Sequence, residues 1–289
     1  MIRQAKHAVK RLLRPLSGGR LTGDGIVRDL HALGVRTGGV LLVHSSLSAL
    51  GYVVGGPRTV VTALTRAVGP GGTLVLPAHT WDEMERGGRT FDVRNSEVCV
   101  GSIPEYFRKM PGVVRSLHPT HSVAALGPEA RWLVDGHDGC ATPCGPGSPY
   151  AKVLERDGQI LFLGVGLESN TAFHTAEALA ELPYFLREEA EEFTIVDDAG
   201  AVRRALFRRH RPGVARRFSD AVDTLSDRGV VRKGRVGRAT ALLLGGRVFL
   251  DVMNAILREA PAFLLADSAR REWAARLTRP GDAAGGDAR

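Results

Sequence analysis

Val40–Val43 is an uninterrupted apolar run, and Thr73–Leu76 is another. Between them Pro57 opens a segment in which Val60, Val61, Leu64, Ala67 and Val68 recur at helical spacing before Gly69. Proline fits the first helical turn, where a missing N–H leaves no bond unmade, and glycine ends a helix readily. Strand, loop, helix and strand in so short a stretch predict a right-handed βαβ unit, hence a parallel sheet. The chain is therefore expected to be an α/β protein whose first strand delivers its loop to the carboxyl edge, where open α/β sheets bind ligands.

That loop begins His44-Ser45-Ser46-Leu47 and continues through Gly51, Gly55 and Gly56. Hydroxyls and closely approachable backbone N–H groups suit a phosphate or an amide-rich cofactor arm, and suit a structural turn equally. No Gly-Lys-Ser/Thr follows and there is no GxGxxG, so neither a Walker loop nor a dinucleotide fingerprint is present.

A third apolar run, Ile160–Val165, lies between Gly158 and Gly166 and reads as a strand buried on both faces. Asn170 or Thr171 can cap a helix starting at Ala172, their side-chain oxygens taking orphan N–H groups of its first turn. Thr171, His174 and Glu177 then recur every three residues along one face. A base, a carboxylate to orient it and a hydroxyl would share one rigid element beside a strand end. A solvated His–Glu pair is the plain alternative.

Around these segments the chain reads as helices at Leu21–Leu33, Ile103–Lys109 and Pro128–Val134, and another from Ser148-Pro149 to Arg156. Thr80–Cys99 is a charged excursion without periodicity, and Phe193–Val196 with Val202–Leu206 is expected to form a hairpin across DDAG. A strand near Ala239–Leu244 and a helix Val248–Leu257 close the body. The expected layout is a basic arm at residues 1–20, one domain over residues 21–279 and a disordered tail at residues 280–289.

With 44% hydrophobic residues in 289 the chain can bury a real core, and no run approaches the roughly 18–20 apolar residues of a membrane span. Residues 1–20 lack the apolar centre of a signal peptide, so a soluble cytoplasmic protein is expected. Cys99, Cys140 and Cys144 are an odd set without a second pair, read as reduced, incidental thiols. The net charge of +8 is concentrated in residues 1–20 and 203–238, but aromatic residues to stack bases are not interleaved there.

Six motifs in order then match one family: Leu41-Leu42-Val43-His44-Ser45-Ser46-Leu47, the glycines before Pro57, Gly72-Thr73-Leu74, Arg115-Ser116 with His118-Pro119, Gly147-Ser148-Pro149, and Asn170–Glu177. Over roughly residues 22–265 the chain resembles the aminoglycoside 3-N-acetyltransferases. The resemblance implies a single α/β domain with a largely parallel central sheet flanked by helices, distinct from the common acetyl-CoA N-acetyltransferase fold. It implies acetyl transfer from acetyl-CoA to an amine, the 3-amino group of an aminoglycoside, without an acyl-enzyme or a metal. Carried over, His174 is the general base, Glu177 its partner and Thr171 a hydroxyl near the thioester carbonyl. His44, Ser45, Ser46, Leu47, Thr73 and Ser116 are the coenzyme A contacts.

Asp82, Glu83 and Glu181 are expected to draw a cationic acceptor, and the Arg-rich 203–238 stretch to seat coenzyme A phosphates. Relatives acting on aminoglycosides often carry a longer acidic insertion after the position of Trp81, whereas here residues 82–100 alone separate Trp81 from Gly101. An amine from secondary metabolism is thus the alternative acceptor. Partners are limited to amine and coenzyme A, without nucleic acid or membrane, in a monomer or homodimer. Two other readings stay open: a metal-dependent hydrolase using His118, His121 and Glu177, and a nucleic-acid-binding module using the basic segments.

Overall fold

The computed structural model describes residues 20–277. The basic arm, Arg20 aside, and the expected tail lie outside the described residues. The strands are β1 (Val40–Ser45), β2 (Thr73–Pro77), β3 (Thr90–Asp92), β4 (Val114–Arg115), β5 (Val123–Leu126), β6 (Gln159–Leu163), β7 (Leu186–Val196), β8 (Val202–His210), β9 (Val231–Val236) and β10 (Ala239–Gly245). Seven of them form one sheet in the order β4-β5-β2-β1-β6-β10-β9.

The expected βαβ unit is present: β1 pairs in parallel with β2, Val40 opposite Thr73, through the helix Pro57–Val68. β6 lies parallel to β1 on its other side. Parallel pairing stops there, because β5 and β10 join antiparallel to β2 and β6, and β4 and β9 extend the edges antiparallel as well. The sheet is mixed, parallel at its centre. β10 runs back beside β6 from the hairpin β9–β10, a reversal that apolar periodicity cannot reveal.

Alternate residues of the central strands feed two cores. Leu42, Val75, Ile160, Phe162, Leu242 and Leu244 face one side, with Phe173 and Ala176 of the helix Ala172–Leu179 and Phe249 and Met253 of the helix Gly246–Glu259. Leu41, Val43, Leu74, Leu76, Leu161 and Leu163 face the other, against Ile26 and Leu30 of the helix Gly23–Leu33 and Val60, Val61 and Leu64 of the helix Pro57–Val68. A slip of one residue in β1 would exchange the two sets, so the register is fixed by both cores at once. The domain is thus helix, sheet, helix in three layers.

A second sheet, β3-β7-β8, covers one end. The hairpin turns at Asp197–Ala201, where Asp197 Oδ1 accepts from the N–H groups of Ala199 and Ala201, and it is longer than its apolar signal because its charged flanks pair too. The excursion after β2 is ordered by Arg115, buried, which donates to the carbonyls of Ala78, Val93 and Ser96 and lies over the Phe91 ring. No described helix is long and apolar enough to cross a membrane.

Candidate active site

Because β1, β2 and β6 run in parallel, their carboxyl ends meet at one edge of the sheet. A cleft of about 360 Å³ opens there, lined by His44 and Ser45 at the end of β1, Pro77 at the end of β2 and His79 beyond it, Val165 and Asn170 after β6, and by Trp81, Thr171, His174 and Phe218. Gly164 turns the chain out of β6 with φ +74, and a Cβ there would strike Ala49, so glycine is required at this corner. Asn170 Oδ1 then accepts the N–H of Ala172 and starts the helix Ala172–Leu179. Of the two expected caps Asn170 is the acceptor, and Thr171 makes no side-chain capping bond.

His174 Nδ1 lies 2.6 Å from Glu177 Oε2, one turn along the helix. The other carboxylate oxygen, Oε1, accepts from Arg216 Nε at 2.8 Å. The Glu177 side chain is 0% exposed, Arg216 13% and His174 15%, so the acid is enclosed and the imidazole reaches the cleft. Burial alone would raise the Glu177 carboxyl, but the hydrogen bond and charge of His174, with Arg216 behind, hold it below the usual carboxylate range. Burial lowers His174 below an ordinary histidine, and Glu177 offsets part of that. Near neutral pH the pair is therefore a neutral imidazole beside an ionised carboxylate. With Nδ1 held by Glu177, the other ring nitrogen is the one able to take a proton from a ligand in the cleft.

Three polar atoms lining this cleft, His44 Nε2, Ser45 Oγ and Asn170 Nδ2, are shielded from solvent and have no hydrogen-bond partner among the described residues. Buried polar groups are nearly always satisfied, so donors and acceptors left over around one cavity mark a place built for a polar ligand. Burial pushes His44 down to about 3, which keeps its ring neutral against Phe162, on which it stacks. Thr171 lines the same wall, and the hydroxyl of Tyr150, in hydrogen-bonding reach of Thr171, also meets His79 Nε2 at 2.5 Å.

Thr171, His174, Glu177, His44 and Ser45 are thus brought together. Ser46 and Leu47 follow on the same loop: Ser46 bonds the Ser48 hydroxyl, its N–H reaches Leu163 O, and Leu47 packs on the core. Thr73 is not brought there. It begins β2 while Pro77, the last residue of that strand, lines the cleft, and four steps of a strand span about 13 Å. Its hydroxyl instead accepts the N–H of Glu129.

Ser116 is also placed elsewhere. His137 Nε2 donates to Pro143 O, so its Nδ1 accepts from the Ser116 hydroxyl, which in turn accepts the N–H of Val123. That serine is buried and spent on structure. Asp82 and Glu83 sit on the short helix Trp81–Glu85, and of that helix Trp81 alone lines the cleft; Asp82 pairs with Arg86. Glu181 is exposed beyond the helix, seven residues or about 10 Å past His174, and does not line the cleft. The hydrolase set of His118, His121 and Glu177 is not assembled either: His118 Nδ1 accepts the N–H groups of Thr120 and His121, and its ring stacks on His137.

Sequence reasoning missed Arg216, which stood in a basic stretch read as a phosphate seat or as part of a nucleic-acid-binding surface. Much of that stretch is paired with acids: Arg209 with Glu191, Arg211 with Glu188, Arg217 with Asp220 and Asp267. It also missed Tyr150, His79 and the exposed Glu168, whose carboxylate accepts the N–H of Gly166 at the cleft wall. No local pattern announces Arg216, Tyr150 or His79, since each meets the site from a segment separate from the His174 helix: Arg216 through Glu177, Tyr150 through His79, and His79 at the cleft itself.

A family profile described as Aminoglycoside 3-N-acetyltransferase matches residues 42–258. Aminoglycoside N(3)-acetyltransferase VIII of Streptomyces fradiae is 42% identical over 184 residues, which are 58% of this chain and 64% of that protein. A solved mutant of aminoglycoside acetyltransferase AAC(3)-IVa in complex with a gentamicin superposes with a TM-score of 0.77 at 32% identity, covering 89% of this chain and 99% of its own. AAC-IIIb, solved as a binary complex with CoASH, superposes with a TM-score of 0.73 at 29% identity, over 83% and 97% of the two chains. With a profile match spanning the sheet, the cleft and its histidine helix, the chain belongs to the aminoglycoside 3-N-acetyltransferase family.

Proposed function

We propose that this chain is an acetyl-CoA-dependent N-acetyltransferase that acetylates the 3-amino group of an aminoglycoside directly. The observation that carries this reading is the His174–Glu177 contact of 2.6 Å, buried at its acid end and open to a cleft at its base end. The gentamicin and CoASH complexes of the relatives support the choice of acceptor and donor.

An unperturbed alkylammonium near pKa 10 is only about 0.1% free amine at neutral pH, so a base must take its proton before or during attack. In the proposed step the amine nitrogen bonds to the thioester carbonyl carbon while the His174 ring takes the amine proton. The carbonyl electron pair moves onto oxygen. The Thr171 hydroxyl, held beside Tyr150, donates to that oxyanion, a contribution that for one such donor is typically about 3–4 kcal/mol. Collapse re-forms the carbonyl and expels the coenzyme A thiolate, which recovers a proton from the imidazolium. Glu177 fixes the tautomer and supports the imidazolium, and Arg216 keeps Glu177 ionised. No step calls for a metal, and the reaction takes place where acetyl-CoA is present, in the cytoplasm.

His44, Ser45 and Asn170 offer unsatisfied groups to the donor or acceptor, and exposed Arg238, packed beside Gly51, brings a cation to the loop after β1. One observation favours the second reading, a less cationic amine: among the described residues lining the cleft, Glu168 alone carries a carboxylate. Acetyl-CoA consumption measured with a panel of aminoglycosides and simple amines separates the two. Turnover with aminoglycosides bearing a free 3-amino group is the expected result. Turnover with simple amines alone selects the second reading, and none with any amine rejects the enzyme.

A further inference from the structure

His121, Cys144 and His210 come from the turn before β5, the loop before the helix Pro149–Glu155 and the last residue of β8. Each offers one ligating atom, and the three atoms lie within 4.8 Å of one another. In a tetrahedral zinc site, with bonds of about 2.3 Å to sulfur and 2.0–2.1 Å to nitrogen, such atoms are roughly 3.3–3.6 Å apart. Shifts of about 1 Å in side-chain position would bring this set to those spacings, with His121 and Cys144 buried and His210 half-buried beside them.

Two further observations point the same way. His210 Nε2 is shielded from solvent without a hydrogen-bond partner among the described residues, the state of a ring nitrogen awaiting a partner. The frame around the ligands is also tied down. His121 Nδ1 is 2.8 Å from the Thr120 hydroxyl, which orients that ring and leaves its other nitrogen available, and Thr175 Oγ1 donates to Cys144 O at 2.8 Å. Outer contacts of this kind hold ligands in metal sites. Two imidazoles and a thiolate select soft or borderline ions of the zinc class over magnesium or calcium.

The His210 ring centroid is 4.1 Å from that of His174, and the His121 centroid 6.4 Å. His121 also lines the cleft beside His174, so a divalent cation held by these groups puts positive charge on the wall along which a cationic amine must approach His174. We propose that His121, Cys144 and His210 form a binding site for a zinc-class divalent cation that switches off acyl transfer. The site itself stands apart from the acetyltransferase reading, and its inhibitory action rests on that reading.

Cobalt(II) titrated into the purified full-length protein, reduced without added thiol, tests the site directly. The expected result is one equivalent bound with a thiolate-to-cobalt charge-transfer band, kept in Cys99→Ser and Cys140→Ser and lost in Cys144→Ser. His210→Ala, folded by circular dichroism, should weaken cobalt binding at least tenfold. Absence of the band, or its persistence in Cys144→Ser, overturns the site. Buffered free zinc should then slow acetyl-CoA consumption at least tenfold in the parent enzyme and leave Cys144→Ser active. Bound cobalt together with zinc-insensitive turnover overturns the switch while leaving the site, and a protein inactive with every amine still has its site decided by the cobalt band.

Discussion

Two histidine nodes lie on the same side of this sheet, and they differ in one kind of neighbour. His174 faces Glu177, itself held by Arg216, and opens on the cleft. His137 is enclosed between Ser116 and the carbonyl of Pro143 with His118 stacked on it, and has no carboxylate partner among the described residues. Burial drags His137 down to about 4, whereas the neighbouring acid keeps His174 from falling as far as burial alone would take it. A buried imidazole with neutral partners is a packing unit that stays neutral. The same ring beside an ionised acid and open to a cleft has its imidazolium supported, which suits it to serve as a base.

The sharpest way to break that contrast is to remove the base. His174→Gln should lower kcat by about 10²–10⁴-fold, the range of general acid–base catalysis, with the melting temperature close to that of the parent. An intact rate in folded protein would end the mechanism. Arg216→Leu should come next, because it leaves a buried carboxylate short of one partner. A loss of roughly 3–5 kcal/mol is typical for breaking a buried pair, read as a shift of the urea midpoint. Unchanged stability would mean that solvent reaches Glu177.

At the other node stability is expected to fall while activity is kept. Ser116→Ala should cost about 1–3 kcal/mol, the penalty for stranding the ring nitrogen of His137 and the N–H of Val123, and leave the KM for acetyl-CoA unchanged. A raised KM would return Ser116 to the coenzyme A site. His137 also predicts an acid limb of stability. Its folded pKa is near 4 and its unfolded value about 6.5, so the unfolded chain binds the extra proton and stability falls as pH drops through that window. Urea midpoints from pH 7.5 to 5 should show that fall, and a flat profile would contradict the burial of the ring.

The smallest effect sharpens the comparison most. Since Glu177 raises His174, Glu177→Gln should move the acid limb of kcat/KM to lower pH, besides lowering its plateau. A limb that stays put would show that the acid only packs.

Much of the frame was legible along the chain. Val40–Val43, the helix opened by Pro57 and Thr73–Leu76 gave the parallel centre, because strand and helix periods are local properties of the residues. His174 and Glu177 were legible for the same reason, lying one turn apart on a helix whose start Asn170 marks. That Thr73 and Ser116 bond away from this cleft was not legible, because a motif gives residue types in order, without saying which end of a strand faces the cleft or which hydroxyl a buried histidine has taken.

What the sequence determined by itself is what neighbours in the chain can decide: the βαβ core, the alternation that loads both faces, and the histidine–glutamate row. Tertiary structure alone decided that Arg216 would close on Glu177, that Tyr150 and His79 would stand behind Thr171, and that His121, Cys144 and His210 would meet. Each of those contacts joins segments far apart in the chain. Their approach follows from burying two apolar faces at once, a condition that belongs to the whole sheet and is written in no single stretch of residues.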